Sequence, residues 1–203
     1  TPDTPKPGSN SRCLVLYASR TSNTERVAQL IQNTLDCDIL EVEPQTPYDS
    51  DYNSMLSRAQ SELSGIEQGN YPPVKTSVES FDKYDFIFIG YPIWYAHMAT
   101  PMQTFLHTHA LKLAGKRIAL FATSGSSGIA TSVSDARGLC PSSTIVNQTL
   151  LLTSSTLSQM DSRVPEWLES IEGFKNNNET SMNIKIKVGG KAVTATMEDN
   201  ASA

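Results

Sequence analysis

The chain has 203 residues, 38% of them hydrophobic and 18% charged, with a formal net charge of -5. That is long enough for one full hydrophobic core with residues to spare, and its balance is that of an ordinary globular protein. The acidic sign argues against nucleic-acid or anionic-membrane partners, which need a basic surface, and no apolar run approaches the roughly 18 residues of a membrane span.

The first eleven residues, TPDTPKPGSNS through Ser11, carry no apolar stretch and read as a flexible tether over 1–11. Such a tether follows a removed export or lipid-anchor signal in some proteins, so the expected location is cytoplasmic, or the cell envelope if a signal preceded it. The first strand is CLVLYA, Cys13 to Ala18, and the apolar spacing of Val27, Leu30, Ile31 and Leu35 predicts a helix after it. CDILEVEP follows as a second strand and DYNSMLSRAQSELSG as a helix closed by Gly65. YDFIFIGYP, Tyr84 to Pro92, is the most continuous apolar run and suits a central strand buried on both faces. A helix from Thr100 to His109, the strand KRIALFATSG, a helix between Ile129 and Leu139, the strand TIVNQTLLL and the helix DSRVPEWLESI complete the alternation.

Five strands alternating with helices predict an α/β fold of three layers, a doubly wound five-stranded parallel sheet between helices. Ligands of such sheets sit beyond the carboxyl ends of the strands. After Phe174 the texture changes to a polar linker, taken as 176–181. MNIKIKVGGKAVTATM then predicts a C-terminal β-hairpin in 182–203, with Ile184, Ile186 and Val188 alternating against Lys185 and Lys187. The expected organisation is a tether, a main domain over 12–175, the linker, and an incomplete start of a second, all-β domain.

Three loops at the strand ends carry the chemistry. Ser19, Arg20, Thr21, Ser22, Asn23 and Thr24 head a helix, where free N–H groups and the helix dipole favour an anion and hydroxyls complete a phosphate's shell without adding charge. A capping box from Ser22 to Glu25 explains two of the same residues, and both readings stand at this point. Pro92, Ile93, Trp94 and Tyr95 follow the central strand, and an indole there offers a flat wall to a flat ligand. Thr123, Ser124, Gly125 and Gly128 form a small-residue loop that admits close backbone approach to a ring edge. The glycine signatures of dinucleotide and nucleoside-triphosphate sites are missing, and a cysteine-phosphatase loop fails because Ser19 stands six residues after Cys13. A phosphate, a planar ring system and a hydrogen-bonding edge are together the parts of flavin mononucleotide.

The same stretches resemble the flavodoxin signature. VLYASRTSNTERVAQL is similar to its apolar strand, phosphate loop and helix, while IGYPIWYAHMATPMQTFL and FATSGSSGIATSVSDARGLCP look like the second and third flavin loops of short-chain flavodoxins. The likeness runs from Arg12 to Phe174. It implies strand order 2-1-3-4-5, a phosphate cradle at Ser19 to Thr24, a ring wall at Pro92, Ile93 and Trp94, and an edge along Thr123, Ser124, Gly125 and Gly128. Ser22 stands where the family usually has glycine; if that position needs positive φ, serine costs about 1 kcal/mol. The tail from Met182 resembles the opening of a cyclophilin-like barrel.

The function implied is that of an FMN-binding redox protein, an electron shuttle or a reductase reacting with NAD(P)H or quinones. Its partners would be a redox protein or a small-molecule donor or acceptor, and neither a metal nor a catalytic acid or base is needed. The rival is a flavin-free scaffold working through its C-terminal domain. Cys13, Cys37 and Cys140, odd in number and widely spaced, are expected as buried, reduced small hydrophobes. His107 and His109, two apart on a helix, are expected at the surface without a shared metal, and His97 in a structural or solvent role. Oligomeric state is left open.

Overall fold

The computed structural model of the chain describes residues 1–8 and 10–171. The linker at 176–181, the hairpin at 182–203 and its cyclophilin-like resemblance lie outside these residues. Packing divides the chain into two units, Thr1–Val164 and Pro165–Ala203, and the site described below belongs to the first.

The strands are β1 (Asn10–Tyr17), β2 (Cys37–Glu41), β3 (Phe86–Trp94), β4 (His97–Met98), β5 (Arg117–Ser124), β6 (Thr144–Ile145) and β7 (Leu150–Thr153). The helices are α1 (Asn23–Leu35), α2 (Tyr52–Glu67), α3 (Thr100–His109), α4 (Ala130–Leu139) and α5 (Met160–Ser170), the last preceded by a 3-10 turn. The parallel sheet runs β2-β1-β3-β5, and β5 then pairs with β6 near its start and β7 near its end. The expected fifth strand is thus one strand broken in the middle, and the order is the one the resemblance implied. Its interruption falls at the polar residues Asn147 and Gln148.

Register explains why three loops meet. Tyr17 lies opposite Gly90, and Gly90 opposite Phe121, so the loop leaving β1 emerges beside the last residues of β3 and β5, which stay paired as far as Pro92 and Thr123. Gly90 is required there: a Cβ at this position would sit 2.1 Å from the Phe121 ring, inside any van der Waals contact. β3 is buried along almost its whole length, as its unbroken apolar sequence predicted.

Helix ends follow local chemistry. Asp51 caps α2 by accepting a hydrogen bond from the Ser54 amide at 2.8 Å. Gly65 does not close that helix but lies within it; the chain turns at Gly69, whose φ is +82°. The N-terminal segment lies in part along the outer edge of β2, where Lys6 and Ile39 exchange backbone hydrogen bonds of 2.8 and 3.0 Å. Just beyond, the buried Asp38 accepts from the Gly8 amide, the Tyr84 hydroxyl and the Lys83 ammonium. Burial would raise that carboxyl's pKa, but these donors outweigh it and hold the group below the usual carboxylate range.

Two further expectations are corrected. Cys13 and Cys37 form a disulfide, with Cα atoms 5.2 Å apart. They are separated by 24 residues in sequence yet stand on neighbouring strands, where a register irregularity between Asn10 and Leu14 brings them together. Only Cys140 is a free thiol, and burial raises its pKa to about 11. His109 is buried, not on the surface. Its Nε2 accepts the Val78 amide at 3.1 Å, which leaves Nδ1 to donate to the Phe105 carbonyl at 2.7 Å and fixes the neutral tautomer.

Candidate functional site

A cleft of ≈ 610 Å³ opens at the carboxyl ends of β1, β3 and β5, within the size range of small-molecule sites. The loop after β1 forms one end. Ser22, at the N-cap of α1, has φ 69° and makes no side-chain capping bond. The capping box with Glu25 therefore does not form; the Glu25 amide instead points to Ser19 Oγ at 3.3 Å. With Ser22 in the left-handed region, no hydrogen bond among the described residues uses the backbone N–H of Thr21, Ser22, Asn23 or Thr24. These are the donors that a helix N-terminus offers to an anion. Thr24 is buried, and its hydroxyl pairs with that of Thr123 at 2.7 Å, tying the first loop to the third.

The second loop is a tight hairpin. Ile93 pairs with Met98 and Trp94 with His97, leaving Tyr95 and Ala96 as a two-residue turn with φ 51° and 69°. Turns of this kind prefer Asn-Gly, and each left-handed L-residue costs roughly 1–2 kcal/mol, so surrounding contacts must hold this one in place. Trp94 is buried, with its ring edge-on to Tyr48 at 4.9 Å. Tyr48 is itself fixed: its hydroxyl meets Glu62 at 2.5 Å and Thr100 at 2.9 Å, and the Arg58 guanidinium lies 3.8 Å over its ring. Burial, then the Glu62 carboxylate, drive the Tyr48 pKa upward, so the phenol stays protonated. His97 pairs with Asp135 at 3.0 Å, which places it in the structural role expected.

The third loop is ordered by its own backbone and by its neighbour. Ser124 Oγ donates to the Ser127 carbonyl at 2.7 Å, and the Ser154 amide donates to the Gly125 carbonyl at 3.2 Å. A Cβ at Gly125 or Gly128 would meet nothing within 4 Å, so both sit beside open space.

Of the residues singled out in sequence, the cleft brings together Arg20, Thr21, Asn23, Thr24, Pro92, Ile93, Trp94, Tyr95, Thr123, Ser124 and Gly125. Ser19, Ser22 and Gly128 do not line it. Ser19 instead borders a smaller cavity of ≈ 190 Å³ that shares Arg20, Pro92 and Trp94 with the cleft and adds Glu41 and Glu43. The Glu41 carboxyl is pushed up by burial and then by Glu43 and Glu25. Sequence reasoning missed two walls. Tyr52, Met55 and Leu56 face the cleft from the start of α2, and Leu152 to Ser154 face it from the end of β7. The second wall had a signal, since the fifth strand's carboxyl end also borders this face; the first had none beyond a helix start after a proline-rich loop. Among the described residues, no group of three or more His, Cys, Asp or Glu is placed to hold a metal ion.

Comparison with known proteins gives the relatives of this architecture. Residues 12–171 match the family profile described as flavodoxin. A proposed flavoprotein from Bacteroides eggerthii is 32% identical, with a TM-score of 0.66 over 80% of this chain and 98% of that one. Another proposed flavoprotein, from Bacteroides uniformis, is 28% identical with a TM-score of 0.64, covering 76% and 98%. A Lactobacillus acidophilus flavoprotein solved in complex with FMN is 24% identical with a TM-score of 0.59, covering 74% and 99%, and shares the fold. No curated protein matches. The profile match ends at residue 171, so the tail's likeness to a cyclophilin-like barrel finds no support there.

Proposed function

The chain belongs to the flavodoxin family, and on that premise we propose that its cleft binds FMN and that the protein works by moving electrons through the bound flavin. The observation that carries this reading is the row of four unused N–H groups at Thr21 to Thr24, at one end of a cleft walled elsewhere by Trp94. An anion and a flat ring are what these two ends accept. The neighbour solved with FMN supports the same ligand.

In this reading the backbone amides of Thr21, Asn23 and Thr24 and the Thr21 hydroxyl hold the phosphate, assisted by the dipole of α1. Arg20 adds a positive charge at the mouth of the same loop. Trp94 and Tyr95 cover the ring and exclude water, and Thr123 to Gly125 supply hydrogen-bonding groups to its edge. When bound, the flavin supplies one- or two-electron redox chemistry, which the protein tunes through stacking, hydrogen bonds and charge. The titratable side chains of the cleft wall are Arg20, Tyr52 and Tyr95.

The partner in this proposal is a redox protein or a small-molecule donor such as a reduced nicotinamide or a quinol. The Cys13–Cys37 disulfide favours an oxidising compartment, and so the cell-envelope alternative for location. Anaerobic titration of FMN-loaded protein with NADH, NADPH and quinols tests the assignment of role. Rapid two-electron reduction by a nicotinamide supports a reductase, whereas inertness to all three with fast exchange to a protein donor supports a shuttle. A loaded protein whose flavin is inert to every donor, protein and small molecule alike, contradicts both.

A further inference from the structure

We propose that Asp135 on α4 is a positioning residue for the flavin, holding the Trp94–Tyr95 hairpin in the shape that walls the cleft. The assignment rests on the flavin reading above.

The hairpin is held by little of its own. Its ladder consists of two residue pairs, and its turn is built from Tyr95 and Ala96 in a conformation that neither prefers. A two-stranded ribbon this short does not stand alone in water. Support comes from Gln103 of α3, whose Nε2 donates to the Met98 carbonyl at 2.7 Å, and from one face of α4. Asp135 Oδ2 accepts the Met98 amide at 3.0 Å, and the same carboxylate receives His97 Nδ1, 3.0 Å from Oδ2 and 3.1 Å from Oδ1. One turn earlier on the same face, Ser132 Oγ pairs with the Tyr91 hydroxyl at 2.9 Å. The two α4 side chains therefore grip the chain just before Pro92 and just after Ala96. The five residues between these anchors include every cleft residue that the second loop supplies.

Asp135 is the anchor that cannot be replaced by the hairpin itself. Its side chain is 17% exposed, and its two oxygens serve a ring nitrogen and a backbone amide that have no other acceptor among the described residues. The Met98 amide is buried with its residue, so losing the carboxylate leaves a donor unpaired. Relaxation of the turn is then the cheapest response, and it moves Trp94 and Tyr95. His97, expected in a structural or solvent role, acquires a specific task as the second group bound by this anchor.

The test uses the full chain, with Asp135→Ala and Asp135→Asn compared with wild type and with Arg137→Ala, whose side chain reaches Asn147 on another side of the helix. FMN dissociation constants are measured by flavin fluorescence. Amide hydrogen exchange of the apoproteins is followed at Trp94 to Met98 and in β5. The expected result is FMN binding about tenfold or more weaker in Asp135→Ala, with faster exchange at Met98 and unchanged protection in β5. Asp135→Asn retains an acceptor for the amide and should stay within about threefold of wild type. Where Asp135→Ala does not fold, His97→Ala replaces it, with a smaller loss of affinity expected and the same pattern of exchange. Equal FMN affinity in wild type and Asp135→Ala overturns the assignment, as does loss of protection spread evenly through hairpin and β5. A wild-type chain that binds no FMN overturns the flavin reading and this assignment with it.

Discussion

Replacing Ser22 by glycine separates two roles for the residue that the family resemblance marks as unusual. Ser22 has φ 69° and ψ -2°, makes no side-chain capping bond and does not line the cleft. Its backbone conformation costs an L-residue roughly 1–2 kcal/mol, and glycine removes that cost. Glycine also adds about 0.4–1 kcal/mol of chain entropy to the unfolded state, which offsets part of the gain. The net expectation for Ser22→Gly is a stabilisation of about 0.5–1 kcal/mol from these two terms. Urea unfolding of the apoprotein reads it as a raised midpoint with unchanged slope. FMN affinity should be unchanged or slightly tighter, because the N–H groups of the loop keep their positions. A tenfold weaker affinity would show that the Ser22 hydroxyl is a phosphate ligand. A destabilised apoprotein would show that the strain argument is wrong.

Reduction of the Cys13–Cys37 disulfide opens a link across 24 residues, and the chain-entropy estimate for a loop of that size is about 3.5 kcal/mol; unfolding with and without reductant, compared in Cys13→Ala/Cys37→Ala, should show a loss of that order. Gly90→Ala places a methyl 2.1 Å from the Phe121 ring and should cost about 1–3 kcal/mol by overpacking, read from the urea midpoint. His109 should make stability pH-dependent. Burial first, and Lys112 second, lower its pKa in the folded state, against the Phe105 carbonyl, which raises it. Its contribution is therefore complete above the unfolded value of about 6.5 and is lost as pH falls toward the lower folded value, at up to about 1.4 kcal/mol per pH unit. In His109→Asn that slope should vanish between pH 6.5 and the acid limb, while a slope unchanged from wild type would contradict the buried neutral imidazole.

The helical spacing of Val27, Ile31 and Leu35 and the unbroken apolar run of β3 were readable because each pattern reports directly on what its element buries. The first and third loops were legible as polar and small residues at strand ends, and the fold brings Arg20, Thr21, Asn23, Thr24, Thr123, Ser124 and Gly125 of them to one cleft. The second loop was legible only as residues. Its hairpin has no Asn-Gly signal, because Tyr95 and Ala96 adopt their left-handed conformations under tertiary support from Asp135, some forty residues away in sequence by rough count. The disulfide was hidden for a related reason. Cysteine spacing along the chain says nothing about which strands become neighbours, and a register irregularity decides which side chains meet. His109 was misplaced because spacing on a helix gives relative direction, while burial depends on what packs there: Phe81 and Phe105 flank its ring. The α2 wall at Tyr52, Met55 and Leu56 was missed because α2 reads as a plain crossover helix whose start gives no sign that it borders a ligand.

The central claim is that the cleft between Thr21 and Trp94 takes FMN. Titration of the purified apoprotein with FMN, followed by the shift of the flavin's visible spectrum and by quenching of its fluorescence, tests it most directly, with Trp94→Ala alongside. The account predicts saturable binding near equal molar amounts, weakened by about 1 kcal/mol or more in Trp94→Ala as aromatic contact is lost. No spectral change with excess FMN would contradict it and return the fold to the scaffold reading, and equal affinity in Trp94→Ala would remove the indole from the site.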